Sequence, residues 1–146
     1  MTAPVFVDSN VLVYARDTGH PDKQRQARAW MTELWRSRRG RLSFQVLVEY
    51  YVTVTRKLRP GLDDGTARQD VQALLAWKPV TVDKQVLEQA WQVEDRHGLS
   101  FWDALILAAA QVGSCRYLLT EDLQDQQRIG GIVVVNPFRS TPESLA

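Results

Sequence analysis

Three observations predict an α/β fold built on one mostly parallel sheet. Short apolar runs, Val5-Phe6-Val7, Tyr117-Leu118-Leu119-Thr120 and Ile132-Val133-Val134-Val135, have the length and composition of buried strands. Between them lie longer segments with apolar residues at helical spacing, so strands and helices alternate. Asp, Ser and Thr stand where those helices should start, and glycine where several should stop. No repeat, low-complexity tract or interdomain linker interrupts the 146 residues, and one domain accounts for them.

Taken in order, Val5-Phe6-Val7 is the first strand, and Asp8-Ser9-Asn10 supplies cap chemistry for a short helix that fades by Asp17. Pro21 suits a first helical turn, and residues 23–38 follow with Ala27, Trp30, Met31 and Leu34 on one face. Leu42-Ser43-Phe44 reads as a second short strand. Residues 45–58 are ambiguous: Val46, Val48 and Val52 favour a strand, while Leu47, Tyr50, Tyr51, Val54 and Leu58 give a helical stripe. The segment is longer than a typical strand, which decides for helix. Residues 60–65 are a loop, and Thr66 is placed to cap a helix over 67–77. Val80-Thr81-Val82 reads as a third strand. Asp83 caps a helix over 84–97, stopped by Gly98, and Ser100 caps one that carries Asp103 near its start and runs to Val112. The last two strands follow, and residues 140–146 are expected to form a flexible tail.

Bulk properties exclude little. A net charge of +1 demands no particular partner, although it conceals local segregation. The single cysteine, Cys115, has no internal partner and reads as a packed thiol, which fits a reducing cytoplasm. The N-terminus has no signal-peptide pattern, and the longest apolar run, 104–110, is too short to span a bilayer. A cytoplasmic protein is expected. His20 and His97 give no zinc-ligand spacing, and neither a Gly-rich phosphate loop nor Gly-x-Ser-x-Gly is present. The five tryptophans sit in amphipathic helices and read as core, with Trp102, beside Asp103, left open.

Four acids lie in apolar surroundings: Asp8 after Val5-Phe6-Val7, Glu49 within Val46-Leu47-Val48-Glu49-Tyr50, Asp103 before Ala104-Leu105-Ile106-Leu107, and Asp122 after the strand ending in Thr120. Each has an ordinary explanation. Asp8 can cap a helix, Asp103 suits a first helical turn, and Asp122 suits a polar turn. Glu49 in mid-helix is harder to dismiss. Buried carboxylates need a partner, and no basic residue lies within three positions of Asp8 or Glu49. If the four meet, a hard divalent cation is the fitting counter-charge. Asp8 and Asp122 both follow strands, which puts them on the carboxyl edge of a parallel sheet, where ligands gather.

These residues resemble a known family. Val7-Asp8-Ser9-Asn10-Val11-Leu12-Val13-Tyr14 is similar to the opening motif of PIN-domain nucleases. Val48-Glu49-Tyr50, Ser100-Phe101-Trp102-Asp103-Ala104-Leu105-Ile106 and Leu119-Thr120-Glu121-Asp122-Leu123-Gln124 are similar to the second, third and fourth, and residues 132–138 to the closing strand. The set covers nearly the whole chain in order and is most similar to VapC-type toxins of bacterial toxin–antitoxin pairs. The resemblance implies a three-layer α/β/α sandwich over residues 1–139, with 140–146 as tail. It also implies RNA cleavage dependent on Mg²⁺ or Mn²⁺, and inhibition by a small cognate antitoxin. Asp8, Glu49, Asp103 and Asp122 become the catalytic, metal-binding quartet, Asn10 and Thr120 polar support, and Asp125 a fifth carboxylate acting through water. Relatives often carry glycine after the last acidic loop, where this chain has Gln126-Gln127.

Two further expectations concern surfaces. Arg36, Arg38, Arg39 and Arg41 form a basic cluster suited to RNA phosphates, if it lies beside the acids, or to helix C-terminal capping. Tyr50, Tyr51, Val54 and the helix holding Trp30 and Trp35 offer apolar surface for a homodimer and an antitoxin segment. A binding module that holds RNA or protein without cutting remains the competing function. A phosphoacceptor domain is disfavoured because no suitably placed lysine follows a strand.

Overall fold

The computed structural model describes residues 3–145. Its elements are β1 (Val5–Val7), α1 (Ser9–Tyr14), α2 (Pro21–Ser37), β2 (Gly40–Arg41), α3 (Phe44–Val52), α4 (Asp64–Leu74), α5 (Lys84–His97), α6 (Phe101–Val112), β3 (Tyr117–Leu119), β4 (Arg128–Ile129) and β5 (Ile132–Val135). The strands form one sheet in the order β2-β1-β3-β5-β4, parallel except for β4 against β5, with helices flanking it. Val5, Phe6, Val7, Leu118 and Leu119 are fully buried, as expected of central parallel strands covered on both faces. No helix among the described residues is long and apolar enough to cross a membrane.

The N-terminal caps follow side-chain chemistry. Asp8, Ser43, Asp63, Asp83 and Ser100 each accept a backbone N–H at the start of α1, α3, α4, α5 and α6. Two sequence expectations shift as a result. Ser43 is the cap of α3 rather than the middle of a strand, so β2 falls earlier, at Gly40–Arg41. Asp63, not Thr66, caps α4, because its carboxylate bonds both the backbone N–H and the hydroxyl of Thr66.

Val80-Thr81-Val82 is not a strand: Val80 makes one isolated bridge to Ser43. The end of β2 in a cap leaves no ladder there to extend. The short antiparallel β4 was not anticipated, since Arg128-Ile129 lacks a strand-length apolar run. The helix expected over 45–58 is α3 followed by a π-helical turn, Thr53–Lys57.

Trp30 is 2% exposed and anchors the C-terminal segment. Its indole N–H is shared between the carbonyls of Pro137 (3.0 Å) and Ser140 (3.2 Å). In the expected tail, Pro142–Leu145 forms a 3₁₀ turn and Leu145 packs on the core, while Ala146 lies outside the described residues. Cys115 is the packed thiol anticipated, its pKa pushed up to about 12 by burial.

A polar tie joins α3 and α4 to the turn that follows α1. Asp70 of α4 takes both Nε (2.9 Å) and Nη2 (2.7 Å) of Arg16, and the buried Tyr50 hydroxyl of α3 at 2.5 Å. Burial and the neighbouring carboxylate hold the Tyr50 phenol well above its usual pKa. Asp70→Ala should cost about 2 kcal/mol in urea unfolding at neutral pH, because it strands a buried hydroxyl and a half-buried guanidinium. An unchanged midpoint would show that the tie is dispensable.

Candidate active site

β1 and β3 are parallel neighbours with Val7 opposite Leu119, so the residues that follow each strand emerge side by side on the carboxyl edge. Asp8 extends the ladder by one bond, its N–H donating to the Leu119 carbonyl at 3.1 Å. The Asp8 carboxylate accepts the Ser9 N–H on Oδ1 at 2.7 Å and the Thr120 hydroxyl on Oδ2 at 2.9 Å. Thr120, fully buried, accepts in turn from Asn10 Nδ2 (2.9 Å) and from the Asp122 N–H (3.1 Å). Asn10 Nδ2 also reaches Asp122 Oδ2 at 3.1 Å and Asp8 Oδ2 at 3.5 Å. Three acceptors around one amide nitrogen fix its orientation and leave Asn10 Oδ1 buried without a partner. Glu49 joins from α3: Ser9 Oγ donates to its Oε1 and Gln45 Nε2 to its Oε2, both at 3.3 Å.

The electrostatics are one-sided. Asp8 is 7% exposed, and its pKa is raised from 3.8 to about 6. Burial is the main cause. The Thr120 and Ser9 hydrogen bonds oppose it, and the negative charges of Asp122 and Glu49 add to it. Among the described residues, no Lys, Arg or His forms a salt bridge with Asp8, Glu49, Asp103 or Asp122. A nearby cation, Lys23, is committed to Glu121 at 2.8 Å, and sits 4.7 Å over the Tyr14 ring and 4.8 Å over Phe138. Sequence reading missed Lys23 and also Ser9, the link between Asp8 and Glu49. Ser9 was legible as a neighbour of Asp8, whereas nothing local signals the pairing of residues 23 and 121.

The structure thus gathers Asp8, Glu49, Asp122, Asn10 and Thr120. Asp103 lies in the first turn of α6, where the Ser100 hydroxyl accepts its N–H at 3.2 Å, and its side chain is not hydrogen-bonded into the network of the other acids. Asp125 serves the backbone instead. Its Oδ1 accepts the Asn136 N–H at 2.8 Å and Gln126 Nε2 at 3.2 Å, tying the acidic loop to the end of β5. That commits Oδ1 to the loop's own architecture. Gln126 takes the left-handed conformation (φ 67°) that glycine would favour, so the loop turns without one. No group of three or more His, Cys, Asp or Glu side chains among the described residues already converges on one point as a metal cage.

The arginine cluster does not lie beside the acids. Arg36, Arg38 and Arg39 precede β2 and Arg41 lies in it, and β2 runs parallel to β1, so the cluster sits at the amino edge while Asp8 follows the carboxyl edge. Arg39 is only 5% exposed, with Nε on the Ala3 carbonyl at 2.9 Å, and Arg36 pairs with Glu33. The tryptophans divide: Trp30 and Trp77 are core, but Trp35, Trp91 and Trp102 are 40%, 53% and 64% exposed. Tyr50, Val54 and Trp30 are likewise buried, so they offer no surface to a partner. Phe44 and Val48, exposed on α3, do.

Residues 5–132 match the PIN domain, and the chain belongs to that family. No curated protein matches it in sequence. Among solved structures it is similar to a toxin–antitoxin complex from Klebsiella pneumoniae, at 21% identity and a TM-score of 0.64 over 91% of this chain and 97% of that one. It is also similar to VapBC2 from Rickettsia felis bound to a promoter DNA fragment, at 16% identity and a TM-score of 0.59 over 89% and 96%. A third is VapC20 from Mycobacterium tuberculosis, a toxin that cleaves the sarcin–ricin loop, at 22% identity and a TM-score of 0.51 over 78% and 86%. At these identities the likeness is one of fold.

Proposed function

We propose that the protein is a Mg²⁺- or Mn²⁺-dependent endoribonuclease that acts in the cytoplasm as the toxin of a toxin–antitoxin pair. The observation that carries this reading is Asp8: a buried carboxylate beside Glu49 and Asp122, with no salt bridge among the described residues to balance any of them. The donors are all oxygen, which suits a hard divalent ion, and the orphaned Asn10 Oδ1 adds a neutral oxygen. Asp8, Glu49, Asp103 and Asp122 would hold the ion. Glu49 comes from α3, Asp103 from α6 and Asp122 from the loop after β3. When bound, such an ion lowers the pKa of water and offsets charge on phosphoryl oxygens.

The protein's own residues do the rest. Thr120 and the Ser9 N–H hold Asp8 in one rotamer, so its carboxylate is presented rather than swung away. Asn10 ties Asp122 to Thr120 and fixes the distance between β1 and β3 at the site. Lys23 neutralises Glu121, so the charge next to Asp122 does not add to the repulsion. Membership in the family and the fold likeness to toxin–antitoxin proteins support the toxin assignment. A cognate antitoxin and a second copy of this chain are the proposed partners. The apolar face of Phe44, Val48, Tyr51 and Val71 is the surface we assign to them.

Purified protein should cut single-stranded RNA with Mg²⁺ or Mn²⁺ and stop on addition of EDTA. Activity that persists in EDTA would overturn the metal-dependent reading. RNA binding without cutting at any metal concentration would favour the binding-module alternative.

A further inference from the structure

The amino edge of the sheet, opposite the acids, carries a second feature. A cavity of about 530 Å³ is lined by Trp35, Arg38, Gly40, Arg41, Trp77 and Lys78, among others. Arg38, Arg41 and Lys78 converge there from the end of α2, from β2 and from the end of the 3₁₀ turn Leu75–Trp77. None of the three forms a salt bridge among the described residues. Arg41 Nη1 donates to the carbonyls of Arg38 (3.0 Å), the C-cap of α2, and Gly40 (2.8 Å), and among the described residues its other N–H groups make no further hydrogen bond.

The floor is aromatic. Trp35 and Trp77 meet at 5.0 Å between ring centroids, tilted by 50°, and Trp35 keeps 40% of its surface exposed. Gly40 makes this possible: a Cβ there would run into the six-membered ring of Trp77. Arg38 (φ 59°) and Lys78 (φ 53°) both hold the left-handed conformation, which disfavours side-chain-bearing residues. Glycine would suit both positions better, yet both carry long cations into one cavity. Helix-end capping alone accounts for neither the aromatic floor nor the convergence of charges from three elements.

We infer that this cavity is an RNA-binding exosite, in which one base of a single strand stacks on Trp35 while the adjoining phosphates lie on Arg38, Arg41 and Lys78. Stacking platforms beside cations are the means by which proteins hold single strands without reading their sequence. The choice of RNA over other polyanions rests on the ribonuclease reading. Gly40 on β2 is opposite Val5 on β1, and Asp8 lies three residues further on, roughly 10 Å at about 3.3 Å per residue. A strand that occupies both places must therefore wrap the sheet edge, and the exosite serves long substrates rather than short ones.

The test uses the full chain in EDTA, where no metal-dependent cutting occurs, with a fluorescein-labelled single-stranded oligonucleotide RNA. Binding should quench tryptophan emission. The double variant Arg38→Gly/Lys78→Gly removes two charges while easing the backbone at both positions, so the fold should hold, which circular dichroism checks. Its affinity should fall at least tenfold, and the slope of log affinity against log salt should lessen by about 1.4 for two lost phosphate contacts. Trp35→Leu should weaken binding roughly tenfold with the slope unchanged. Equal affinity of the double variant and the parent overturns the exosite. So does displacement of the RNA by poly-glutamate at matched charge, which would assign the cavity to an acidic protein segment. Cleavage of a trinucleotide with Mg²⁺ should be the same in parent and double variant. If neither cuts any RNA, the ribonuclease reading fails while the binding result in EDTA stands or falls by itself.

Discussion

Asp8→Asn is expected to abolish metal-dependent RNA cleavage, with a fall of at least about a hundredfold, since even the outer partners of metal ligands cost roughly 10–100-fold when removed. Asn keeps the shape and one acceptor, so the loss would report charge rather than collapse. The same change should stabilise the metal-free protein. The native carboxyl has its pKa raised to about 6 from 3.8, so the native state binds the proton more tightly than the unfolded chain does. Ionised Asp8 therefore costs folding about 3 kcal/mol above roughly pH 6, and that cost disappears as pH falls from about 6 to about 4. In EDTA the parent should gain stability on acidification through that window, and Asp8→Asn should not. The variant should gain about 1–2 kcal/mol at mildly alkaline pH, less than the full amount because one amide N–H then faces a donor. Added Mg²⁺ should raise the melting temperature of the parent but not of the variant. A parent whose stability does not change across that same acidification would show that Asp8 is balanced by something other than a metal.

The second large effect belongs to Trp30. Trp30→Ala should cost about 3–5 kcal/mol, through a large cavity and two carbonyls left with no donor. Trp30→Phe should keep most of the packing and lose only about 1–2 kcal/mol. Chemical denaturation of both variants separates the contributions of ring and indole N–H. If Phe costs as much as Ala, the hydrogen bonds to Pro137 and Ser140 carry the interaction. Because these bonds tie α2 to the chain after β5, limited proteolysis near Ser140 should accelerate in both variants.

How far the sequence was legible depended on the range of the forces involved. The strands β1, β3 and β5 are runs whose apolar content alone selects burial, and the caps at Asp8, Asp83 and Ser100 act within three residues. The second strand falls earlier than expected because Leu42-Ser43-Phe44 is apolar enough for a strand, whereas Ser43 bonds the Val46 N–H and turns the chain into α3. Val80-Thr81-Val82 has the composition of a strand, but a strand needs a neighbour with free backbone groups, and only Ser43 bridges it. At the site, Asp8, Glu49 and Asp122 were nameable from their apolar flanks, whereas Asn10 and Thr120 were nameable only through the family resemblance. The backbone tie made by Asp125 was not legible because its partner, the Asn136 N–H, comes from the far end of another strand. The location of the basic cluster, away from the acids, was not legible for a topological reason. Proximity in sequence to Glu49 says nothing about which edge of a parallel sheet a residue occupies.

The adjacency of β1 and β3 has a consequence for how the enzyme comes into being. Asp8 is made early and its partners Thr120 and Asp122 more than a hundred residues later, so at about 5–20 residues per second several seconds separate them on the ribosome. Until Tyr117–Leu119 docks beside Val5–Val7, no pocket of carboxylates exists. On the ribonuclease reading proposed above, a nascent chain in which this pairing has not formed would be harmless to the RNA that surrounds it. If the chain is the proposed toxin, its activity would begin only once these two strands have paired, which is when an inhibitory partner would first be needed. Long-range pairing of this kind is slow to form, so the carboxylate pocket is among the later parts of the fold to assemble.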